Sequence, residues 1–476
     1  MSFKKNTLSG LVWASLDLLL IRGLAFGTSI LLARLLQPEE FGLIGMISIF
    51  ISIGITFIDS GLSESLIREK NVDNNDFSSV FFMNVGISLV IYGVLFFIAP
   101  VIGDFYNQQI LKKLIRVYAL SFIFSAFSSI QICILVKNMQ FKRLTLLNMP
   151  GAIIGSVVGI LMGYYGYGVW SIIAMYLTTQ ILQTTLLWIF SLWKPNFYFS
   201  FSKIKDHLNF GYKLLLSGLL NSVFNNIYNV LIGKFFPIKS LGYYERSFSF
   251  SQQPVSILSN IINKVTYPML SKIQDSPMKM ASIYKEIFLL TYFVSTPAMI
   301  GLASISEPLF LVLLGKKWIN AVPYFQILCF ASIFYPINAL NLNILKVFGK
   351  TDLFLKLELF KKLLILFVVA IGFSFGIYGL LWSSVISALG SLIINGNYSS
   401  TLINYSTKQQ LLDMFPITLI SFVMFFMVKI VLNKIQIESD FYEIIIGLLS
   451  GGFFYISASY LFNLKGMGIL INRFIP

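Results

Sequence analysis

The chain has 476 residues, of which 57% are hydrophobic and only 12% charged. Ordinary soluble domains carry roughly 25% charged residues, so this composition excludes a large soluble α-protein. The formal net charge is +15, but the charges stand singly or in small clusters between apolar runs, as membrane-flanking charges do, so nucleic acid is not an expected partner.

Apolar runs long enough for a bilayer core, about 20 residues each, recur along nearly the whole chain. They predict an all-α integral membrane protein with about fourteen transmembrane helices. In chain order the spans are Leu8–Leu36, Phe41–Ile67, Phe77–Ile102, Leu114–Val136, Leu144–Gly163, Val169–Leu192 and Leu208–Phe236. Leu241–Leu270, Tyr284–Ile305, Ala321–Val347, Leu353–Phe375, Ile377–Ile403, Leu411–Leu432 and Tyr442–Phe462 follow. Lys4 and Lys5 precede the first run as in a signal peptide, but Asp17 and Arg22 interrupt that run and it continues to Leu36. Its length marks it as a retained span rather than a cleavable segment. With the N-terminus on the cytoplasmic side, the cytoplasmic loops hold more than twice as many Lys and Arg as the opposite loops. The positive-inside rule then places both termini in the cytoplasm.

The polar, basic and aromatic stretch Trp193–Asp206 separates the first six spans from the next six. A faint echo crosses it. Leu31-Leu32-Ala33-Arg34-Leu35-Leu36 leads to Phe41-Gly42, and Leu231-Ile232-Gly233-Lys234-Phe235-Phe236 leads to Leu241-Gly242. The expected organisation is a six-helix lobe over residues 1–195, a second over 196–405 and two further helices in 406–476. Paired repeats of this kind are a common transporter plan. In the fifth span Gly151, Gly155, Gly159 and Gly163 recur every four residues, which lets another helix backbone approach closely.

Ionisable residues inside spans are the sharper functional signal, because a charge at the bilayer centre costs about 2.5–3.5 kcal/mol on insertion scales. Asp17 and Arg22 lie in span one and Asp59 in span two. Spans seven and eight are rich in amides, and Asn221, Asn225 and Asn229 recur every four residues. In hydrocarbon such a stripe needs partners, either other helices or a hydrophilic cavity. One histidine, His207, and two isolated cysteines, Cys133 and Cys329, both in apolar runs, assemble neither a zinc site nor a Cys/His nucleophile. No metal, cofactor or disulfide is expected.

Several stretches together carry a resemblance. Span two starts RLLQPEEFGLIGM and ends FIDSGLSESLI, span six opens GYGVWS, and span eight runs from LGYYERSFSFSQQP to VTYPMLSKIQD. Over most of residues 8–405 the chain resembles bacterial polysaccharide exporters and O-antigen flippases of the multidrug/oligosaccharidyl-lipid/polysaccharide superfamily, in the colanic-acid-exporter branch. That resemblance implies two six-helix lobes around a central cavity. It also implies the transfer of undecaprenyl-diphosphate-linked sugar repeats from the inner to the outer leaflet. Related peptidoglycan-precursor flippases carry Tyr-x-x-Arg followed by Pro on span eight, the pattern of Tyr243, Arg246 and Pro254. A cavity-lining arginine on span one of those proteins is matched in depth by Arg22. Their further arginine midway along span two has no counterpart here, so the full cationic triad does not transfer.

The expected protein is a flippase of the bacterial inner membrane, not an enzyme. Arg22 and Arg246 would bind the diphosphate as multi-donor guanidinium groups, with Asn221, Asn225 and Asn229 binding sugars. Asp17 and Asp59 are the candidates for a coupling cation, H⁺ or Na⁺, and membrane lipids are the surrounding partners. The alternative is an ion-coupled drug or metabolite exporter of the same superfamily. A glycosyltransferase or polymerase fits poorly: Glu39-Glu40 is the only acidic pair in an outside loop, and such loops, Gly103–Lys113 among them, are short.

Overall fold

The computed structural model describes residues 20–59, 61–69, 71–191, 193–273, 276–435 and 439–474. Among these there is helix and no strand, as expected where each backbone polar group must be satisfied within its own segment. The helices of the first half are α1 (residues 20–35), α2 (Pro38–Asp59), α3 (Leu62–Arg68), α4 (Asn74–Phe105), α5 (Ile110–Tyr118), α6 (Leu120–Lys137), α7 (Phe141–Tyr164), α8 (Trp170–Phe190), α9 (Phe201–Asn225) and α10 (Ile227–Phe235). Then come α11 (Ile238–Ser271), α12 (Pro277–Ser304), α13 (Ser306–Leu313), α14 (Val322–Ser332), α15 (Tyr335–Val347), α16 (Thr351–Phe373), α17 (Gly376–Ile403), α18 (Thr407–Ile435), α19 (Asp440–Leu461) and α20 (Lys465–Phe474). Among the described residues, eleven helical stretches are long and apolar enough to cross a membrane. The three expected spans that fall outside that set are span one, described only from residue 20, the amide-rich α11, and α16 with its Lys and Glu residues.

By packing, the chain divides into two units, one ending at Gly242 and the other starting at Tyr243. In the first, α7 lies along α8, α4 and α6 pack together, and α2 runs beside α9 and α10. The division by contact therefore falls later than the polar stretch at 193–206, because α9 and α10 pack on α2, α3 and α4. In the second unit α12 packs on α18, α18 on α19, and α17 on α14, α15 and α16.

The glycine stripe of α7 lets α7 and α8 approach closely. A Cβ at Gly151 would stand 2.9 Å from the Thr179 carbonyl oxygen, and one at Gly155 2.0 Å from Thr179 Oγ1 and 2.8 Å from the Met175 carbonyl oxygen. Overpacking of this kind costs about 1–3 kcal/mol, and here a backbone atom cannot rotate away. Gly155→Leu should therefore lower the melting temperature in detergent by several degrees. Gly86→Ala, at a position with open space around it, should leave it unchanged. Equal melting temperatures for the two variants would contradict the close α7–α8 contact.

A reciprocal contact joins the two echoing segments, all within the first unit. A Cβ at Gly42 would meet the Ile238 carbonyl oxygen at 2.3 Å, and one at Gly242 would meet the Pro38 carbonyl oxygen at 1.8 Å. Residue pairs 42/238 and 242/38 exchange places under a shift of 200 in sequence, the signature of a local two-fold relation. Glu39 and Lys239, also related by that shift, form an ion pair at 3.8 Å.

Two polar clusters tie down helix ends. At the start of α4, Asp73 and Asp76 form a reciprocal capping box, and Lys203 bridges both carboxylates at 2.7 and 2.9 Å. The Lys203 ammonium, helped by the Asp76 backbone N–H, holds the Asp73 carboxyl at about 2. That stabilising contribution is present at neutral pH and is lost only as pH falls toward that value. The buried His207 sits alongside, with Nδ1 2.8 Å from Ser65 Oγ. In the second unit buried Asp413 accepts from Tyr405 Oη at 2.8 Å and pairs with Lys285 at 3.2 Å and Lys465 at 2.5 Å. This node fastens α20 to α12 and α18.

Candidate functional site

The amides of span seven do not form one continuous stripe. The helix breaks at Asn226, whose φ and ψ are −102° and 6°, so α9 ends at Asn225 and α10 begins at Ile227. Asn221 and Asn225 are exposed, whereas Asn229 is buried against α2. The three amides therefore differ in setting: Asn229 is engaged with α2, while Asn221 and Asn225 are not buried.

The polar face that α9 and α10 turn toward α2 is Ser222, Asn226 and Asn229. Thr56 and Ser222 share a hydroxyl hydrogen bond at 2.9 Å. Asn229 Nδ2 donates to Ser48 Oγ at 2.8 Å, and Ser48 Oγ lies 2.8 Å from Asn226 Oδ1. Asn226 Nδ2 donates to the Ser222 carbonyl. Ser48, Ser52 and Thr56 are spaced four residues apart along α2, so they form one stripe facing this seam. Polar contacts of this kind average about 0.6 kcal/mol each inside membranes. The seam binds α2 to the broken helix and is spent on that contact, leaving Asn221 and Asn225 as the outward-facing amides. The signal that identifies it, small hydroxyl residues at i, i+4 and i+8 in an apolar span, is present in the sequence.

α2 is broken as well. Gly61 adopts φ of +68°, a left-handed conformation that L side chains rarely take. A Cβ there would also stand 2.9 Å from Gly211 Cα. The break lets α3 pack on α9, where Ser65 meets His207.

In the second unit the first turns of α11 are anchored by their neighbours. Tyr243 is buried, with its ring 6.1 Å from Trp318 and 6.0 Å from Tyr324 in edge-on arrangements. Ser247 Oγ donates to the Ala321 carbonyl at 2.9 Å, and further along Gln252 Nε2 donates to Ser332 Oγ at 3.2 Å. Arg246 is half-buried and lies between Tyr243 and Ser247 in sequence. In the Tyr-x-x-Arg pattern, the tyrosine here is a packing residue that fixes the helix carrying the arginine.

Arg22 lies on α1 and is exposed. It belongs to the first unit and Arg246 to the second. Asp17 and the Asp59 side chain lie outside the described residues. Both cysteines are buried, and among the described residues no group of three His, Cys, Asp or Glu could hold a metal ion.

Known proteins resemble the chain along most of its length. The lipopolysaccharide biosynthesis protein WzxC of Escherichia coli K12 is 23% identical over 374 residues, 78% of this chain and 76% of that protein. The teichuronic acid biosynthesis protein TuaB of Bacillus subtilis is 24% identical over 360 residues, 74% of this chain and 73% of that protein. Among solved structures, a lipid II flippase, MurJ, in an inward closed conformation covers 95% of this chain and 99% of its own, with a TM-score of 0.77 at 18% identity. An inward-facing multidrug resistance MATE family transporter of the MOP superfamily covers 83% and 99%, with a TM-score of 0.63 at 16% identity. The fold is therefore the one shared by these transporters, as the sequence resemblance implied. Residues 31–323, more than half of the chain, match the family described as polysaccharide biosynthesis protein, and this multi-pass membrane protein belongs to that family.

Proposed function

We propose that the protein is a flippase that moves undecaprenyl-diphosphate-linked oligosaccharide repeat units from the cytoplasmic to the outer leaflet of the bacterial inner membrane. The observation that carries this reading is the conjunction of a polysaccharide biosynthesis family with a fold shared at a TM-score of 0.77 with a lipid II flippase. Residues 1–195 and 196–405 act as two six-helix lobes that give alternating access to a central cavity, followed by two helices in 406–476. Arg22 and Arg246 hold the diphosphate, and Asn221, Asn225 and Asn229 contribute amides toward the sugars. For Asn229 this requires its bond to Ser48 to open. Both termini are cytoplasmic. Reporters fused after Lys70, Arg143 and Lys279 should read cytoplasm, and those after Glu39, Lys113 and Lys316 the outside. A reversed pattern would overturn the orientation.

A diphosphate carries about two negative charges, and one charge crossing the whole field is worth roughly 2.3 kcal/mol per 100 mV. With the cytoplasm negative, outward movement is downhill by about 4–5 kcal/mol per 100 mV when no counter-charge accompanies the anion. An inward H⁺ or Na⁺ bound at Asp17 and Asp59 resets the empty carrier. In reconstituted vesicles, collapsing the potential should slow transfer of a lipid-linked oligosaccharide. Asp59→Asn should change the dependence of transfer on pH or sodium. Transfer indifferent to potential and to both ion gradients would replace this mechanism with passive equilibration.

A further inference from the structure

Within the first unit, a cavity of about 480 Å³ lies where α6, α7 and α8 end or begin, next to the start of α4. Arg143 and Lys194 line it, with the amides of Asn138 and Gln140 and the aliphatic side chains of Leu147 and Leu187. Among the described residues of its lining there is no carboxylate, so two cations line one small volume, and the nearby Asp73 and Asp76 at the start of α4 are engaged by Lys203.

The Arg143 side chain is positioned by the fold. Its Nη2 donates to the carbonyl of Phe190, the last residue of α8. That bond satisfies an orphan carbonyl at a helix C-terminus, where a cation is also favoured by the helix dipole. It engages one nitrogen of a group with five N–H donors. Trp193, also on the lining, donates its indole N–H to Asn74 Oδ1 and packs edge-on against Phe81 at 5.9 Å. The loop bearing Lys194 is thereby fixed to α4.

The level of the cavity identifies the kind of ligand. It is bounded by the ends of three apolar spans, Ile110–Lys137, Phe141–Tyr164 and Trp170–Phe190, so it lies where hydrocarbon gives way to headgroups. Met139, Leu146, Ile189 and Phe190, on or beside the lining segments, are large apolar residues left exposed. A free anion has no use for such surroundings. A phosphate attached to acyl or prenyl chains uses both the cations and the apolar flank, and basic pockets between transmembrane helices suit such head groups.

We infer that this cavity binds the phosphate head group of an anionic membrane lipid in the Lys- and Arg-rich leaflet. The site is built entirely from the first unit and does not depend on the transport reading. Its test uses the full chain purified in detergent, with phosphatidylglycerol, phosphatidylcholine and inorganic phosphate as probes. Retained lipid is read by native mass spectrometry, and stabilisation by the melting temperature. Phosphatidylglycerol should be retained over phosphatidylcholine and should raise the melting temperature more than millimolar inorganic phosphate does.

Removing cations as Arg143→Gln and Lys194→Gln should weaken phosphatidylglycerol retention roughly five-fold each. Asn138→Asp with Gln140→Glu leaves both cations and the Phe190 bond in place, and should abolish the preference by adding negative charge. Lys272→Gln with Lys279→Gln, at exposed positions of the other unit, should leave it intact. Equal retention of the two lipids would overturn the assignment, as would an equal loss in the Lys272/Lys279 control. Stabilisation by inorganic phosphate matching that of the lipid would make this a free-anion site and overturn the lipid assignment.

Discussion

Arg246→Ala is expected to abolish polymer export when the variant is expressed in a flippase-null strain, while its abundance in the membrane stays near that of the unaltered protein. The expectation rests on the setting of Arg246 on α11. Tyr243 and Ser247, three residues before and one after it, are held by Trp318, Tyr324 and the Ala321 carbonyl. The helix is thus fixed by its neighbours, and removing the arginine should spare the anchors. A guanidinium offers a rigid fork that matches phosphate oxygens, whereas an ammonium is a point charge. Arg246→Lys should therefore restore export in part. Charge-assisted hydrogen bonds contribute roughly 1.5–3 kcal/mol each, so two lost bonds correspond to a fall in affinity of at least a hundred-fold. Full export by Arg246→Ala would remove Arg246 from the binding site.

Gly242→Val should separate the starts of α2 and α11. Its Cβ would stand 1.8 Å from the Pro38 carbonyl oxygen, and neither partner is a side chain that can turn aside. The reciprocal Gly42–Ile238 contact should open with it, since the same two segments make both. Glu39 and Lys239, paired at 3.8 Å, provide the readout. Glu39→Cys with Lys239→Cys should crosslink in an otherwise unaltered chain and lose most of that crosslinking when Gly242→Val is added. Overpacking of this kind costs about 1–3 kcal/mol, so the melting temperature should fall as well. Undiminished crosslinking with an unchanged melting temperature would show that the two segments are not in contact in the membrane.

The course of the helices was legible in the sequence, because a bilayer demands uninterrupted apolar runs and such runs are visible without any partner. Each expected span is mostly helical where it is described, with turns breaking spans two, four, seven and ten, and Gly151, Gly155 and Gly159 of α7 meet α8 because a four-residue spacing of hydrogens suits a close neighbour. Rotational phase was not legible. Successive helix residues differ by about 100° around the axis, so Asn221 and Ser222 look equally placed until the position of α2 is known. On that count Asn229 stands within about 20° of Ser222, and the position of α2 is what engages both. The Asp413 node and the Arg143 cavity depended on tertiary structure for a related reason. Asp413 meets Lys285 and Lys465 from two other helices, and the cavity draws Arg143 and Lys194 to one wall across some fifty residues of chain. Long-range charge pairing leaves no periodic trace in a sequence. Only the packing of apolar faces decides which polar residues come together.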